Sequence, residues 1–199
     1  MTRLVYGVGF DSGGVFYKTV NRKHTKSYSV WKDMLRRGYS ADYKNKHTSY
    51  KHVEVCTQWH DYQVFAKWFH EYYRSGTELD KDILGDGTIY SPTTCRFIPK
   101  DLNILLVHTR YSTARNQELP LGVSKSDKGY TAYCNDGCGK TINLGTRQDP
   151  DAAFILYKSF KESLVKTKAE KYFKEGIIDS DTKLALLSIK IVPYFINKD

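Results

Sequence analysis

The 199-residue sequence predicts an α+β chain built as two successive units and a tail. Three observations carry that fold class. Residues 79–103 place a strand, a turn, a second strand and a helix start in one short stretch. Residues 121–145 hold three short strand-like runs separated by turn residues. Residues 150–164 then carry an apolar stripe at helical spacing. The expected divisions are a first domain over 1–118, with a strand-strand-helix hairpin at about 79–107, a second module over 119–176, and a C-terminal helix and tail over 177–199.

The first elements follow from local pattern. Residues 4–9 and 15–20 alternate around glycines and read as two strands joined by the Asp11-Ser12-Gly13-Gly14 turn. Residues 21–26 are polar and basic and read as a loop. Ser29 caps a helix over 30–37 that Gly38 stops, with Val30, Trp31, Met34 and Leu35 inward. Residues 39–52 carry Lys44, Lys46, Lys51 and two histidines with little apolar content, and read as a long exposed loop. Residues 53–56 read as a strand. Asp61 caps a helix whose Phe65, Trp68, Phe69, Tyr72 and Tyr73 form a core stripe, ended by Gly76.

An acidic cluster at Asp80 and Asp82 ends the next strand, and Gly85-Asp86-Gly87 turns the chain. The apolar run 95–98 leads to Pro99, a good first residue for a helix, with Asn103 one turn inside. Such a hairpin can bring Asp80 and Asn103 together. Both are hard oxygen donors of the kind that hold Mg²⁺ or Mn²⁺. Residues 104–107 extend the helix, 108–118 form a polar linker with Arg110 and Arg115, and Pro120 opens the second module.

In that module residues 121–124, 129–135 and 140–145 read as three strands. Tyr130, Ala132, Cys134, Ile142 and Leu144 share one face, and Thr131, Tyr133, Asn135, Thr141 and Asn143 the other. Asp149 caps a long helix with Pro150 at its first position, and Ala153, Leu156, Tyr157, Phe160 and Leu164 can cover the apolar face. The other face stays wet and polar, with Ser124 on it and Lys125, Lys128 and Lys140 at its edge. In the tail Leu184, Leu187 and Ile191 are expected to pack on the body, Pro193 to end the helix, and Phe195 and Ile196 to dock or meet a partner.

Composition bounds the partners. The net charge is +9, with 31 Lys and Arg spread along the chain, so nucleic acid is the default partner. No run approaches the roughly 18 apolar residues of a membrane span, so no membrane contact is expected. The start lacks a signal-peptide core, so the protein is expected in the cytoplasm with its four cysteines reduced. Cys134 and Cys138 have no matching second pair and read as flanks of an Asp136-Gly137 turn rather than zinc ligands.

Residues 79–103 resemble the ββα-metal hairpin of HNH endonucleases. Asp80 matches the metal-holding Asp and Asn103 the helix Asn. The position of the general-base His carries Lys81, and the central Asn position falls near Tyr90 or Thr94. The resemblance implies a metal-dependent DNA endonuclease unit with Asp80, Lys81 and Asn103 in the catalytic places. Mg²⁺ or Mn²⁺ would serve if the unit is active. A Lys with a pKa of about 10.4 is protonated at neutral pH and cannot accept a proton unless strongly perturbed. Tyr28, Trp31-Lys32-Asp33-Met34-Leu35, Val55-Cys56, Trp59, Phe65, Trp68-Phe69, residues 79–83 and Tyr90-Ser91-Pro92 together resemble tailed-phage HNH endonuclease-like proteins with a DNA-binding domain, over residues 7–173.

Gly122-Val123, Tyr130-Thr131-Ala132, Leu144-Gly145-Thr146, Ala153 and Tyr157 resemble the APETALA/ethylene-response-factor DNA-binding domain. That family lays its sheet in the major groove. Here Ser124, Tyr133, Asn135, Thr141 and Asn143 stand where its base-reading Arg and Trp would be, with Lys125, Lys128 and Lys140 as phosphate contacts. The expected partner is double-stranded DNA. Three readings stay open: an impaired endonuclease, a DNA-binding or regulatory protein that does not cut, and a phage protein that binds a host enzyme or defence factor.

Overall fold

The computed structural model describes residues 4–110 and 119–193, and the side chains of all of these except 107–110. The chain forms two compact units, Met1–Phe97 and Ile98–Asp199. The expected linker 108–118, with Arg110 and Arg115, and the expected docking of Phe195 and Ile196 lie outside the described side chains.

The N-terminal segment departs from the expected pair of long strands. Val5 bridges Gly9 across a tight loop, in which Tyr6 (φ 51°) and Gly7 (φ 81°) are left-handed. Residues 15–18 join no strand, because the Gln63 side chain takes both the N–H and the C=O of Phe16. The actual hairpin is short: β1 (Thr19–Val20) pairs antiparallel with β2 (Lys23–His24). The stretch expected as a basic loop is thus a hairpin tip and its second strand.

Helix α1 (Lys26–Tyr39) starts earlier than Ser29 and runs through Gly38. Thr25 is the cap, accepting the Tyr28 N–H, and Ser29 instead donates back to the Thr25 carbonyl. Gly38 is helical, and its missing side chain leaves room for the strand behind it: a Cβ there would lie 3.1 Å from Val55 Cγ2. The supposed loop 39–52 holds α2 (Ala41–Lys46), capped by Ser40, and a 3₁₀ turn at Thr48–Tyr50. Tyr43, His47 and Tyr50 meet there in tilted and edge-to-face ring contacts, which the low aliphatic content concealed.

Next come β3 (Glu54–Val55), a 3₁₀ turn at Thr57–His60, and α3 (Tyr62–Tyr72) capped by Asp61, whose Oδ1 accepts the Gln63 N–H. Helix α3 ends before Gly76, which serves the turn beyond it. Phe65, Trp68 and Phe69 are buried with Trp31, Met34, Leu35 and Trp59 in one aromatic core. Each fully buried side chain of this size contributes about 2–3 kcal/mol. Strands β4 (Thr77–Asp80), β5 (Ile89–Tyr90) and β6 (Arg96–Pro99) complete the hairpin region. Strand β4 pairs with β6, while β5 runs parallel to β3. Pro99 closes β6 rather than opening the helix.

In the second unit α4 (Lys100–Arg110) precedes the antiparallel sheet of β7 (Val123–Ser126), β8 (Gly129–Asn135) and β9 (Thr141–Arg147), in the order β7-β8-β9. Helix α5 (Pro150–Lys174) packs on this sheet. Its cap, Asp149, accepts the Ala152 N–H at 2.8 Å, a bond worth about 1 kcal/mol. The buried row of α5 is Ala153, Phe154, Tyr157, Lys161, Val165 and Ala169, with Leu156, Phe160 and Leu164 only half-buried. Gly122 (φ 75°) lets the chain cross the Tyr157 ring, where a Cβ would sit 2.2 Å from Cδ2.

Helix α6 (Ser180–Leu187) turns Leu186 inward, and Ile191 is buried beyond it. Leu184 faces solvent, and α6 ends well before Pro193, whose carbonyl accepts the Leu121 N–H. Among the described residues no helix is long and apolar enough to cross a membrane.

Candidate functional site

Two surfaces carry the residues singled out by the sequence, one in each unit. In the first, Asp80 ends β4 and is buried. Its Oδ1 accepts the backbone N–H of Asp82 and of Ile83, both at 2.9 Å. The carboxylate thus closes the turn after the strand, as Asp commonly does in turns.

Lys81 is buried at 5% exposure, and its Nζ donates to Asp82 Oδ1 at 2.8 Å. The same ammonium lies 5.4 Å from the Tyr50 ring centre and 5.6 Å from that of Tyr90, within cation–π range. A second cation shares this pocket of rings. The Arg37 guanidinium lies 5.8 Å from Tyr50 and pairs through Nη2 with Asp33 Oδ2 at 2.8 Å. Burial pushes the Tyr90 and Tyr50 phenols above their ordinary range, against the pull of Arg37. Burial also pushes the Cys95 thiol up to about 12, so it is no nucleophile.

Sequence reading missed Arg37 and Tyr50. Arg37 stands four residues after Asp33, so a helical pair was legible, but its turn toward the tyrosines was not. Tyr50 sat in a stretch read as loop.

The arrangement holds two cations among aromatic rings and carboxylates. Lys81 is not a proton acceptor in it, since its Nζ donates to Asp82 Oδ1. The two histidines near α3 do not supply one. His60 Nε2 bonds the Tyr39 hydroxyl at 2.8 Å, and His70 stacks on Phe16. Asp80 Oδ1 is committed to two amide hydrogens, and the next residue buries a positive charge. Among the described residues no group of three or more His, Cys, Asp and Glu side chains could hold a metal ion. Thr94, one of two places for the family's central Asn, donates to the Ile89 carbonyl at 2.7 Å and so secures the backbone. Asn103 lies half-buried on α4, in the second unit.

In the second unit the register defines the wet face. Ser124 stands opposite Thr131, and Thr131 opposite Thr146. Their hydroxyls form a chain: Thr131 Oγ1 to Thr146 Oγ1 is 2.8 Å, and Thr131 Oγ1 to Ser126 Oγ is 3.2 Å. Tyr133 faces Asn143, and Asn135 faces Thr141. A bulge after Ala132 breaks the ladder beside Leu144. Gly145 (φ 112°) accommodates it, and Asn143 Oδ1 accepts the Gly145 N–H at 2.9 Å. Asn135 Oδ1 likewise accepts the Gly137 N–H at 2.7 Å. Both amides therefore spend an acceptor on the backbone and keep their NH₂ groups as the polar ends to present.

No charged residue stands in the register of this face. Lys128 and Lys140 are exposed in the turns at its ends. Lys125 stands opposite Tyr130, on the α5 side of the sheet by register, and is exposed on the edge strand. Behind the sheet Lys161 is 1% exposed, 5.9 Å from the Tyr157 ring centre, and burial lowers its pKa. Asp101 on α4 pairs with Lys168 and accepts from the Tyr172 hydroxyl at 2.8 Å. Burial raises its carboxyl, but these two partners outweigh it and hold the pKa below the ordinary value.

Comparison with protein-family models, curated proteins and solved structures gives no match.

Proposed function

We propose that this chain binds double-stranded DNA and does not cut it. The open face of the β7-β8-β9 sheet, lined by hydroxyl and amide side chains and backed by α5, is the observation that carries this reading. A sheet of this width fits the major groove, where base edges present donors and acceptors. Tyr133 and Asn143 stand at its centre, with Ser124, Asn135 and Thr141 around them. Lys128 and Lys140 at the ends, and Lys125 at the edge, contact phosphates, which position the protein without reading sequence. The net charge of +9 supplies the general attraction.

In this reading the HNH-like hairpin is a scaffold. Its Lys81 and Asp82 neutralise each other where the family keeps a base, as in a phage DNA-binding protein that has lost catalysis.

A gel titration on duplex DNA, with Mg²⁺, Mn²⁺ or chelator, tests both halves. A salt-sensitive shift without nicks is expected in all three conditions. Tyr133→Ala with Asn143→Ala should weaken binding on the order of tenfold or more; unchanged affinity removes the sheet from the reading. Nicks that require metal and vanish in Asp80→Ala would instead establish an active nuclease. Neither shift nor nick would point to a host protein as partner.

A further inference from the structure

The β1–β2 hairpin of the first unit carries a feature that the sheet reading does not use. Its two-residue tip, Asn21 and Arg22, has φ of 50° and 63°. This is the left-handed geometry that two-residue hairpins demand, and Gly is the usual choice at the second position. The chain places Arg there, so a guanidinium is presented at a point where backbone preference argues for no side chain.

The sequence around the tip carries one sign of charge. Residues 12–32 contain no Asp or Glu, while Lys18, Arg22, Lys23, Lys26 and Lys32 fall within them. Lys18 pairs with Asp11 at 2.9 Å. Arg22, Lys23 and Lys26 make no ion pair among the described residues. Lys26 also opens α1, whose first turn has no acidic residue, so the helix dipole adds to the positive potential. Tyr17 (72% exposed) and Val20 (52%) stand beside these cations.

The base of the hairpin is fixed. Thr25 Oγ1 donates to the Tyr17 carbonyl at 3.0 Å, and the Thr25 N–H to that of Lys18 at 3.0 Å. The hydroxyl of the fully buried Tyr62 donates to the Tyr17 carbonyl at 3.1 Å. The tip is therefore a pre-organised projection, which lowers the ordering cost of binding.

We infer that this hairpin is a second DNA contact, with Arg22 entering a groove of the duplex and Lys23 and Lys26 on the flanking phosphates. An arginine on a narrow projection suits the strongly negative minor groove. An acidic protein would pair with interspersed charges equally well, but nothing acidic on this hairpin sets a register for one. The inference shares only its partner with the sheet reading and rests on different residues.

The test uses the full chain and Arg22→Gly with Lys23→Ser, alone and combined with Tyr133→Ala and Asn143→Ala. Gly fits the left-handed position, so the hairpin variant should melt no lower than the parent. Its duplex affinity should fall about tenfold near 0.1 M salt, and the slope of log affinity against log salt should drop by about two. A hairpin-dependent loss that persists in the sheet variant supports the hairpin even if the sheet contributes nothing. Unchanged affinity and slope overturn it, while leaving the sheet reading standing. So does a loss of binding to polyglutamate without loss for DNA, which would assign the hairpin to an acidic protein. A parent chain that binds no duplex overturns both.

Discussion

Among the described residues each unit buries one lysine, and the two are buried in opposite ways. Lys81 in the first unit enters its aromatic pocket with a carboxylate at 2.8 Å and two tyrosine rings beside it. Lys161 in the second unit is more deeply buried, yet among the described residues it has one ring, Tyr157, and no carboxylate. The first charge is compensated in place. The second is penalised by desolvation, which its lowered pKa records. Buried charge thus stabilises Lys81's surroundings only while its partner remains, whereas Lys161 is a standing cost to the fold.

The largest test of this contrast removes the partner. Asp82→Ala leaves the Lys81 ammonium buried without its carboxylate and should cost about 2–3 kcal/mol. All three tryptophans, Trp31, Trp59 and Trp68, lie in the first unit, so denaturation followed by their fluorescence reads that unit alone. A change under about 0.5 kcal/mol would mean that the pair is idle. In the opposite direction, Lys161→Met should stabilise the second unit by about 1–2 kcal/mol. The shift should appear in far-ultraviolet circular dichroism and be absent from the tryptophan signal.

A smaller effect tests how α4 is held within the second unit. Asp101→Asn weakens the bonds from Lys168 and Tyr172 and should cost about 1 kcal/mol. Because the folded-state pKa of Asp101 is depressed, its contribution is present above the ordinary carboxylate range. It is lost as pH falls through the lowered value, so the parent should lose more stability in acid than Asp101→Asn does.

The smallest effect is alkaline. The folded Lys161 sheds its proton before the unfolded chain does, so the second unit should gain stability as pH rises from that lowered pKa toward about 10. Beyond this, the phenol of Tyr157, pushed up by burial, opposes the gain. Lys161→Met should flatten the rise below pH 10. An unchanged slope in that variant would show that Lys161 does not titrate there.

Where local signals agreed with tertiary demand, the elements were legible. Asp149-Pro150 marked the start of α5, and Asp61 with its aromatic stripe marked α3, because caps and periodicity act over a few residues. The three-stranded sheet followed from alternation between turns. Where a distant residue supplied the decisive bond, reading failed. Gln63 satisfied the backbone of Phe16 and dissolved an expected strand. Gly38 read as a stop and proved to be a contact point for Val55. The expected apolar stripe of α5 did not include Lys161, which lies one turn after Tyr157 on the buried row.

The sequence by itself determined the α+β class, the order of elements from β6 onward, the two faces of the three-stranded sheet and the basic balance of the chain. These rest on composition and on periods of two and 3.6 residues, which are properties of neighbours in sequence. Tertiary structure alone decided that Asp80 closes a turn, that Lys81 is neutralised by Asp82 between Tyr50 and Tyr90, that Lys125 stands on the α5 side, and that Arg22 crowns a hairpin. Each depends on register, on burial or on a partner far along the chain, and none of these leaves a mark in local spacing.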